Sequence, residues 1–170
     1  MSSTRSGEKR QQTPAGAVAA GDRHTAEAAA AVLADGGNAF DAVLAGLFAA
    51  CIAEPVLCSL GGGGFLLAQP AGGDAVLHDF FCQTPGRCLP VDELEFLPIH
   101  ADFGTARQEF HIGMGAVAVP GLVAGAFAIH EELCRLPMAR LMAPAIALAR
   151  RGVAMAPLPR FILDAVAPIF

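Results

Sequence analysis

The regular part of the chain begins with two apolar segments whose spacing predicts helices. Residues His24 to Asp35 are rich in alanine, the strongest helix former. Residues 42–53 form an uncharged apolar run that Asp41 and Glu54 bracket. This run is too short to cross a bilayer, so it predicts a helix buried in a protein core.

Glycine, asparagine and proline mark the ends of these two helices. Gly36 and Gly37 are expected to end the first helix, because glycine adopts the left-handed conformation at a helix C-terminus without strain. Asn38 is the expected N-cap of the second helix, with Asp41 three residues later, where a carboxylate suits the positive end of the helix. Pro55 is expected to stop that helix.

The apolar pattern then changes to that of short strands. Residues 65–69 and 75–81 are apolar segments separated by a turn with two glycines, which predicts one β-hairpin. Residues 82–110 contain three prolines and scattered acidic residues with little periodicity. We therefore expect this long segment to be irregular.

The last third of the chain returns to helical patterns. Residues 113–119 predict a short strand, and residues 120–134 predict a helix with an apolar stripe. Two further helical pieces, 137–143 and 144–151, are expected to be separated at a proline. A final helix is expected over residues 160–167, so the predicted class is α+β, rich in helix and with one β-hairpin.

Composition adds an expectation about completeness. Of the 170 residues, 54% are hydrophobic and 16% are charged, which is more apolar than is usual for a soluble domain. Such a chain on its own would expose large apolar patches. We therefore expect residues 17–170 to be one domain, incomplete at its C-terminus, that packs against further polypeptide. Residues 1–16 are polar and predict a disordered leader.

The charge pattern argues against several classes of partner. The net charge is −5 and Lys9 is the single lysine, whereas nucleic-acid binding needs clustered Lys and Arg. We expect no nucleic-acid or membrane partner. No apolar segment of the kind found in an export signal follows the early basic residues, so we expect a cytoplasmic protein.

The residues most often used in catalysis are scattered along the chain. The five cysteines have no close C-x-x-C spacing and the five histidines have no ligand spacing, so we expect reduced thiols and neither a metal nor a cofactor. Cys58 is either a nucleophile or a small buried thiol. We favour the buried thiol, because the sequence gives it no His or Lys partner.

Four consecutive glycines, Gly61, Gly62, Gly63 and Gly64, are the strongest local candidate for a site. Such glycines either turn successive amides toward an anion or allow two backbones to pack closely. They do not form a P-loop, because Phe65 follows where Lys-Ser/Thr is required. Glu54 ends an apolar helix, and we expect it to hold this glycine loop through the backbone amides of the loop.

Several blocks, in order, resemble the N-terminal part of gamma-glutamyltranspeptidases. The resemblance covers nearly everything from Val18 to Gly152. The blocks are Gly36-Gly37-Asn38-Ala39-x-Asp41-Ala42, Glu54-Pro55, Gly61-Gly62-Gly63-Gly64-Phe65, Val117-Ala118-Val119-Pro120-Gly121, His130, Leu136-Pro137 and Pro144-Ala145-Ile146-x-Leu148-Ala149-x-x-Gly152.

The resemblance implies the large-subunit part of an αββα N-terminal-nucleophile (Ntn) hydrolase. Such proteins are made as precursors that cut themselves, and a threonine then heads the small subunit and attacks a gamma-glutamyl amide such as glutathione. Thr25, Thr84 and Thr105 do not match that threonine. The implied partners are the rest of the precursor and a small-molecule amide, and this chain alone is expected to be inactive.

One family motif departs from its pattern in this chain. The family has D-x-R-E-x-A-P, in which the arginine grips the α-carboxylate of the gamma-glutamyl group. The matching residues begin at Asp79, and Phe81 stands at the arginine position. A phenyl ring cannot replace a charge-assisted contact. Arg87 is a candidate for compensation, and we hypothesise that the substrate is another acyl amide, such as a dicarboxylic or simple acyl amide.

Two other hypotheses belong to different classes. The chain could be a truncated, non-enzymatic relative that serves as a structural or binding module, or a soluble α/β domain that matches by chance. A threonine heading an apolar strand further downstream would favour the enzyme, whereas an early stop codon would favour the module.

Overall fold

The computed structural model describes residues 16–170, so the expected leader, residues 1–16, lies outside the described residues except for Gly16. Besides three short 3-10 turns, the described part contains five α-helices and four strands. In chain order they are α1 (Arg23–Ala34), α2 (Ala39–Ala53), β1 (Phe65–Ala68), β2 (Val76–Asp79), β3 (Leu97–Asp102), β4 (Arg107–Ile112), α3 (Leu122–Leu133), α4 (Met138–Arg151) and α5 (Pro157–Val166).

The apolar helix α2 is the centre of the core. It packs against α1, α3 and α4, which explains why its apolar residues are not confined to one face. Leu44, Ala45 and Ala49 on α2 are completely inaccessible to solvent. Ile129 of α3 and Leu141 of α4 complete the same core. The sequence prediction of a buried helix is therefore confirmed.

A reciprocal cap begins α2, as its sequence predicts. The Asn38 side chain accepts a hydrogen bond from the Asp41 amide at 2.8 Å, and the Asp41 carboxylate accepts one from the Asn38 amide at 2.7 Å. The Asp41 carboxylate also accepts from the amides of Arg135 and Leu136, both at 3.0 Å. A local cap thus also fastens α2 to the turn between α3 and α4.

The strands form two antiparallel hairpins, not the single one expected. In the first, Phe65 pairs with Asp79 and Ala68 with Val76. The second, β3 with β4, lies within the segment predicted to be irregular, and it continues two residues past it. Most of its exposed positions are polar, such as His100, Asp102 and Glu109, and Leu97 is exposed, so its strands lack a regular alternation of apolar and polar residues. Gly104 with φ of 81° makes the turn, and the Asp102 side chain accepts from its amide at 2.8 Å.

Two further expectations about the last third were wrong. The helix α4 runs continuously through Pro144 and is not divided into two pieces. Its buried residues Leu141, Ala145 and Leu148 lie on one face, and their packing offsets the hydrogen bond that proline cannot make. Residues 113–119 form a short 3-10 turn and one isolated bridge instead of a strand.

Candidate functional site

The glycine loop packs directly on the chain that follows β2. A Cβ added to Gly63 would lie 2.6 Å from the Cys82 amide nitrogen and 2.7 Å from the Phe80 carbonyl oxygen, a separation that real Cβ atoms do not tolerate. Gly64 and Phe80 exchange backbone hydrogen bonds of 3.3 and 3.1 Å. Close contact between two backbones is therefore what requires glycine at residue 63.

The same loop also holds the start of α3. The Gly62 carbonyl accepts hydrogen bonds from the amides of Gly121 and Leu122, at 3.1 and 3.0 Å. A Cβ on Gly121 would meet the Phe80 carbonyl oxygen, and one on Gly125 would meet the Phe80 ring at 2.3 Å. Phe80 is thereby clamped between the glycine loop and two glycines of the α3 segment.

Phe81, the next residue, is half exposed. Its ring stacks on Phe65, with ring centroids 5.4 Å apart and an interplanar angle of 9°. Phe81 and Phe65 are 51% and 59% exposed. The Asp79 carboxylate accepts from the Phe81 amide at 3.0 Å, so Asp79 fixes the turn that presents this ring. We call this stacked pair, Phe65 with Phe81, the Phe65–Phe81 platform.

Arg87 is not part of that platform. The residue is exposed, and within residues 16–170 no hydrogen bond or ion pair joins its side chain to Phe65, Asp79 or Phe81. Pro85 and Gly86 lie between it and the platform in sequence. The compensation suggested for Arg87 remains a prediction that no contact in the described structure tests.

Glu54 has a different partner from the one expected. Its carboxylate accepts from the Thr25 hydroxyl at 2.9 Å, so it ties the end of α2 to the start of α1. Its backbone carbonyl, not its side chain, accepts from the amides of Leu57 and Cys58, each at 2.9 Å. The expectation that this carboxylate holds the glycine loop was therefore wrong. The α1 hydroxyl that satisfies it lies 29 residues away in sequence, which local patterns do not reveal. Pro55 is exposed beyond the helix end.

Cys58 has a partner that the sequence did not indicate. Its sulfur lies 3.5 Å from that of Cys51, in the last turn of α2. The hydrogen bond from the Cys51 thiol lowers the pKa of Cys58 to about 7, although burial and the Glu54 carboxylate oppose this change. The same hydrogen bond, together with burial, raises the pKa of Cys51. The only local signal for this contact is that Cys58 follows Cys51 by seven residues, with the end of α2 and a Glu-Pro turn between them.

Two of the histidines contact polar groups on neighbouring segments. His130 lies 2.8 Å from the Leu136 carbonyl through Nε2, and His78 Nδ1 lies 3.9 Å from the Glu132 carboxylate across β2 and α3. Within residues 16–170 no group of three His, Cys, Asp or Glu residues is placed to hold a metal ion. In the same range, no helix combines the length and the apolar character that a bilayer crossing requires.

A cavity of about 580 Å³ lies beside α1 and α2, where residues 16–20 pass over them. Its lining is mostly alanine and glycine, with Thr25 and Asn38 as its polar members. Among the described residues its lining includes no charged side chain, and the Thr25 hydroxyl donates its hydrogen bond to Glu54.

Comparison with solved structures defines the class of protein. The Helicobacter pylori gamma-glutamyltranspeptidase structure matches with a TM-score of 0.76 and 28% identity, over 94% of this chain and 44% of that chain. The predicted α+β class, belonging to an αββα Ntn-hydrolase sandwich, is thus confirmed. The helices and two hairpins described above correspond to part of that sandwich.

Residues 25–165 match the family model described as gamma-glutamyltranspeptidase, and the chain belongs to that family. It is 38% identical over 132 residues to the acylase ACY 1 proenzyme of Pseudomonas sp. strain V22, covering 76% of this chain and 24% of that protein. It is 34% identical over 142 residues to the glutathione hydrolase proenzyme of Pseudomonas aeruginosa, with 83% and 24% covered. The chain thus spans about a quarter of the length of these relatives.

Proposed function

We propose that residues 17–170 supply the N-terminal part of the large subunit of an amidohydrolase or acyltransferase of the gamma-glutamyltranspeptidase type. The catalytic threonine lies outside this chain, so residues 1–170 alone are inactive. Family membership supports the class of enzyme. The word proenzyme in the names of the relatives supports a precursor and a small-subunit partner.

In the proposed reaction, the threonine hydroxyl of the small subunit attacks the amide carbonyl of the substrate. Its own α-amine accepts the proton, and hydrogen-bond donors stabilise the oxyanion of the tetrahedral intermediate. The C–N bond of the substrate then breaks, and the leaving amine takes up the proton that the threonine α-amine had accepted. The resulting acyl-enzyme passes its acyl group to water or to an amino acid. This chain contributes the scaffold and, through the Phe65–Phe81 platform, one wall of the acyl pocket.

The Phe65–Phe81 platform is the main observation behind our proposal for the acyl group of the substrate. A gamma-glutamyl group ends in an ammonium and a carboxylate, and the family holds that carboxylate with an arginine where this chain has Phe81. A half-exposed pair of stacked rings offers apolar contact and no compensating charge. We therefore propose an acyl group without the α-amino-acid end. The similarity to a protein named acylase supports this choice.

The test compares three anilides with the full-length, matured enzyme: gamma-glutamyl, glutaryl and butyryl p-nitroanilide. We expect kcat/KM for butyryl to exceed that for gamma-glutamyl by at least about tenfold, because the Phe65–Phe81 platform gives the carboxylate of gamma-glutamyl no charge-assisted partner. Glutaryl keeps that carboxylate but lacks the ammonium, so its kcat/KM should lie between the other two. A preference for the gamma-glutamyl compound would refute the substrate proposal. Absence of hydrolysis of all three by full-length protein that remains uncleaved would favour the non-enzymatic alternative.

A substitution at Phe81 tests whether the preference among these anilides depends on the Phe65–Phe81 platform. Phe81→Arg restores the family residue, and we expect it to raise the ratio of kcat/KM for gamma-glutamyl to kcat/KM for butyryl by about tenfold. Phe96→Arg is the matched control. Phe96 is 49% exposed and stacks on His111 with centroids 4.0 Å apart, so the same change is made at a similar ring elsewhere. An equal shift in both variants would show that Phe81 does not line the acyl pocket.

A further inference from the structure

Two cysteines that the acyl-transfer chemistry does not use lie side by side at the end of α2. The sulfur atoms of Cys51 and Cys58 are 3.5 Å apart, within hydrogen-bond reach of each other. Both residues are partly accessible to solvent, and both are free thiols. A pair of adjacent, accessible thiols has a chemical capacity that a lone thiol lacks, because one sulfur can displace a group from the other.

The backbone, and not the chance placement of two flexible side chains, brings these thiols together. Cys51 lies in the last turn of α2, and Cys58 follows the helix end by five residues. The amides of Leu57 and Cys58 both donate to the Glu54 carbonyl at 2.9 Å. These two hydrogen bonds turn the chain back over the helix end, so that Cys58 returns to the side of Cys51.

The two thiols also differ in how readily they ionise. The hydrogen bond from Cys51 lowers the pKa of Cys58 to about 7 and favours its thiolate. The pKa of Cys51 is raised by the same hydrogen bond and by burial, so Cys51 keeps its proton. A thiolate with a pKa near the ambient pH is the best attacking group in thiol–disulfide exchange.

We propose that Cys51 and Cys58 form a thiol–disulfide exchange site for low-molecular-weight disulfides, with Cys58 as the attacking thiol and Cys51 as the resolving thiol. The Cys58 thiolate attacks one sulfur of the small disulfide, its S–S bond breaks, and one small thiol leaves after taking up a proton. Cys51 then loses its proton and attacks the Cys58 sulfur, which expels the second small thiol. Two protein thiols are oxidised to one disulfide, and one small disulfide is reduced to two thiols.

The expected product is a disulfide bridge between Cys51 and Cys58, within one short segment of the chain. The sulfurs must approach by roughly 1.5 Å to reach a covalent S–S distance. The bridge would fix the Glu54–Pro55 turn to α2 immediately before the Gly61–Gly64 loop. This proposal does not depend on the proposed acyl transfer, because neither thiol takes part in that reaction.

The test follows the cysteines of the reduced, full-length protein by peptide mass spectrometry after exposure to glutathione disulfide and acid quenching. In the wild type, we expect Cys51 and Cys58 to lose two hydrogens together and to retain no glutathione. Cys88, which is exposed, is the internal control and should retain a glutathione adduct. Stable adducts on Cys58 in the wild type, or a reduced pair while Cys88 is modified, would overturn the proposal.

Two variants assign the roles of the sulfurs. In Cys51→Ser, glutathione should remain on Cys58, because no resolving thiol is present. In Cys58→Ser, Cys51 should react several-fold more slowly than Cys58 does in Cys51→Ser, because burial still raises the pKa of the Cys51 thiol in that variant. Equal rates in the two variants would contradict the assignment of Cys58 as the attacking thiol.

Discussion

Replacing Asp41 should have one of the largest effects on stability of any single polar substitution in the chain. Its carboxylate is inaccessible to solvent and accepts hydrogen bonds from the backbone amides of Asn38, Arg135 and Leu136. In Asp41→Ala, all three amides lose their acceptor. These hydrogen bonds are partly buried, and a hydrogen bond to a charged group contributes about 1.5–3 kcal/mol. Allowing for partial relaxation, we expect the free energy of unfolding to fall by about 3–5 kcal/mol.

Asp41→Asn separates the loss of charge from the loss of acceptors. The remaining amide oxygen can still accept from Arg135 and Leu136, but the new NH2 group faces the Asn38 amide, a donor against a donor. We therefore expect a smaller loss, about 1–3 kcal/mol. Asp35→Asn is the control, because Asp35 is exposed and, in the described part of the chain, its carboxylate pairs with Arg140 at the surface. Its loss should be at most about 1 kcal/mol.

The assay is urea unfolding of the full-length protein and its variants at pH 7, with midpoints compared at a common slope. The expected order of destabilisation is Asp41→Ala, then Asp41→Asn, then Asp35→Asn. A loss below about 1 kcal/mol for Asp41→Ala would refute the reasoning, because the three amides would then have other partners. A loss no larger than that of Asp35→Asn would refute it equally.

The dependence on pH gives an independent check of the same carboxylate. Burial by itself would raise the pKa of Asp41, but the hydrogen bonds from Asn38, Leu136, Arg135 and the Cys134 thiol outweigh it and hold the pKa below its usual value of 3.8. The folded state thus binds this proton less readily than the unfolded state. The stabilisation is present above pH 3.8 and is lost as the pH falls through the lower folded value. Asp41→Asn should lack this component of acid sensitivity.

The remaining predictions concern packing around Phe80 and the carboxylate at the end of α2. Gly125→Ala should destabilise the protein by about 2 kcal/mol or more in urea unfolding, because its Cβ would meet the Phe80 ring at 2.3 Å. Gly86→Ala, at a glycine with open space around it, should change stability by less than about 0.5 kcal/mol. Equal losses of stability in Gly125→Ala and Gly86→Ala would contradict the close packing of Phe80 on Gly125. Thr25→Val removes the hydroxyl that donates to Glu54 and should cost about 1 kcal/mol. Thr25→Ser keeps the hydroxyl and should recover most of that loss.

Local patterns predicted those parts of the molecule whose determinants lie close together in sequence. The cap at Asn38 and Asp41 depends on residues three apart. Gly36 adopts a φ of 88° past the end of α1, because glycine alone does so without strain. The first hairpin follows from two apolar segments and a glycine turn. Phe81 was identified as the departure from the family motif on sequence grounds, and the role of the platform in binding substrate stays a prediction.

Tertiary structure decided those features in which contacts with distant residues outweigh the preference of the local sequence. Proline disfavours a helix interior, yet α4 continues through Pro144 because its buried face packs on α2. The carboxylate of Glu54 bonds to the Thr25 hydroxyl instead of the nearer glycine loop. The thiols of Cys51 and Cys58 meet because the chain folds back over a helix end. Local sequence patterns alone determined α1, α2, α3, the first hairpin and the resemblance to the family, but not the second hairpin or the unbroken α4. Only the three-dimensional structure determined which side chains meet, since burial and hydrogen bonding reward contacts between residues far apart in the chain.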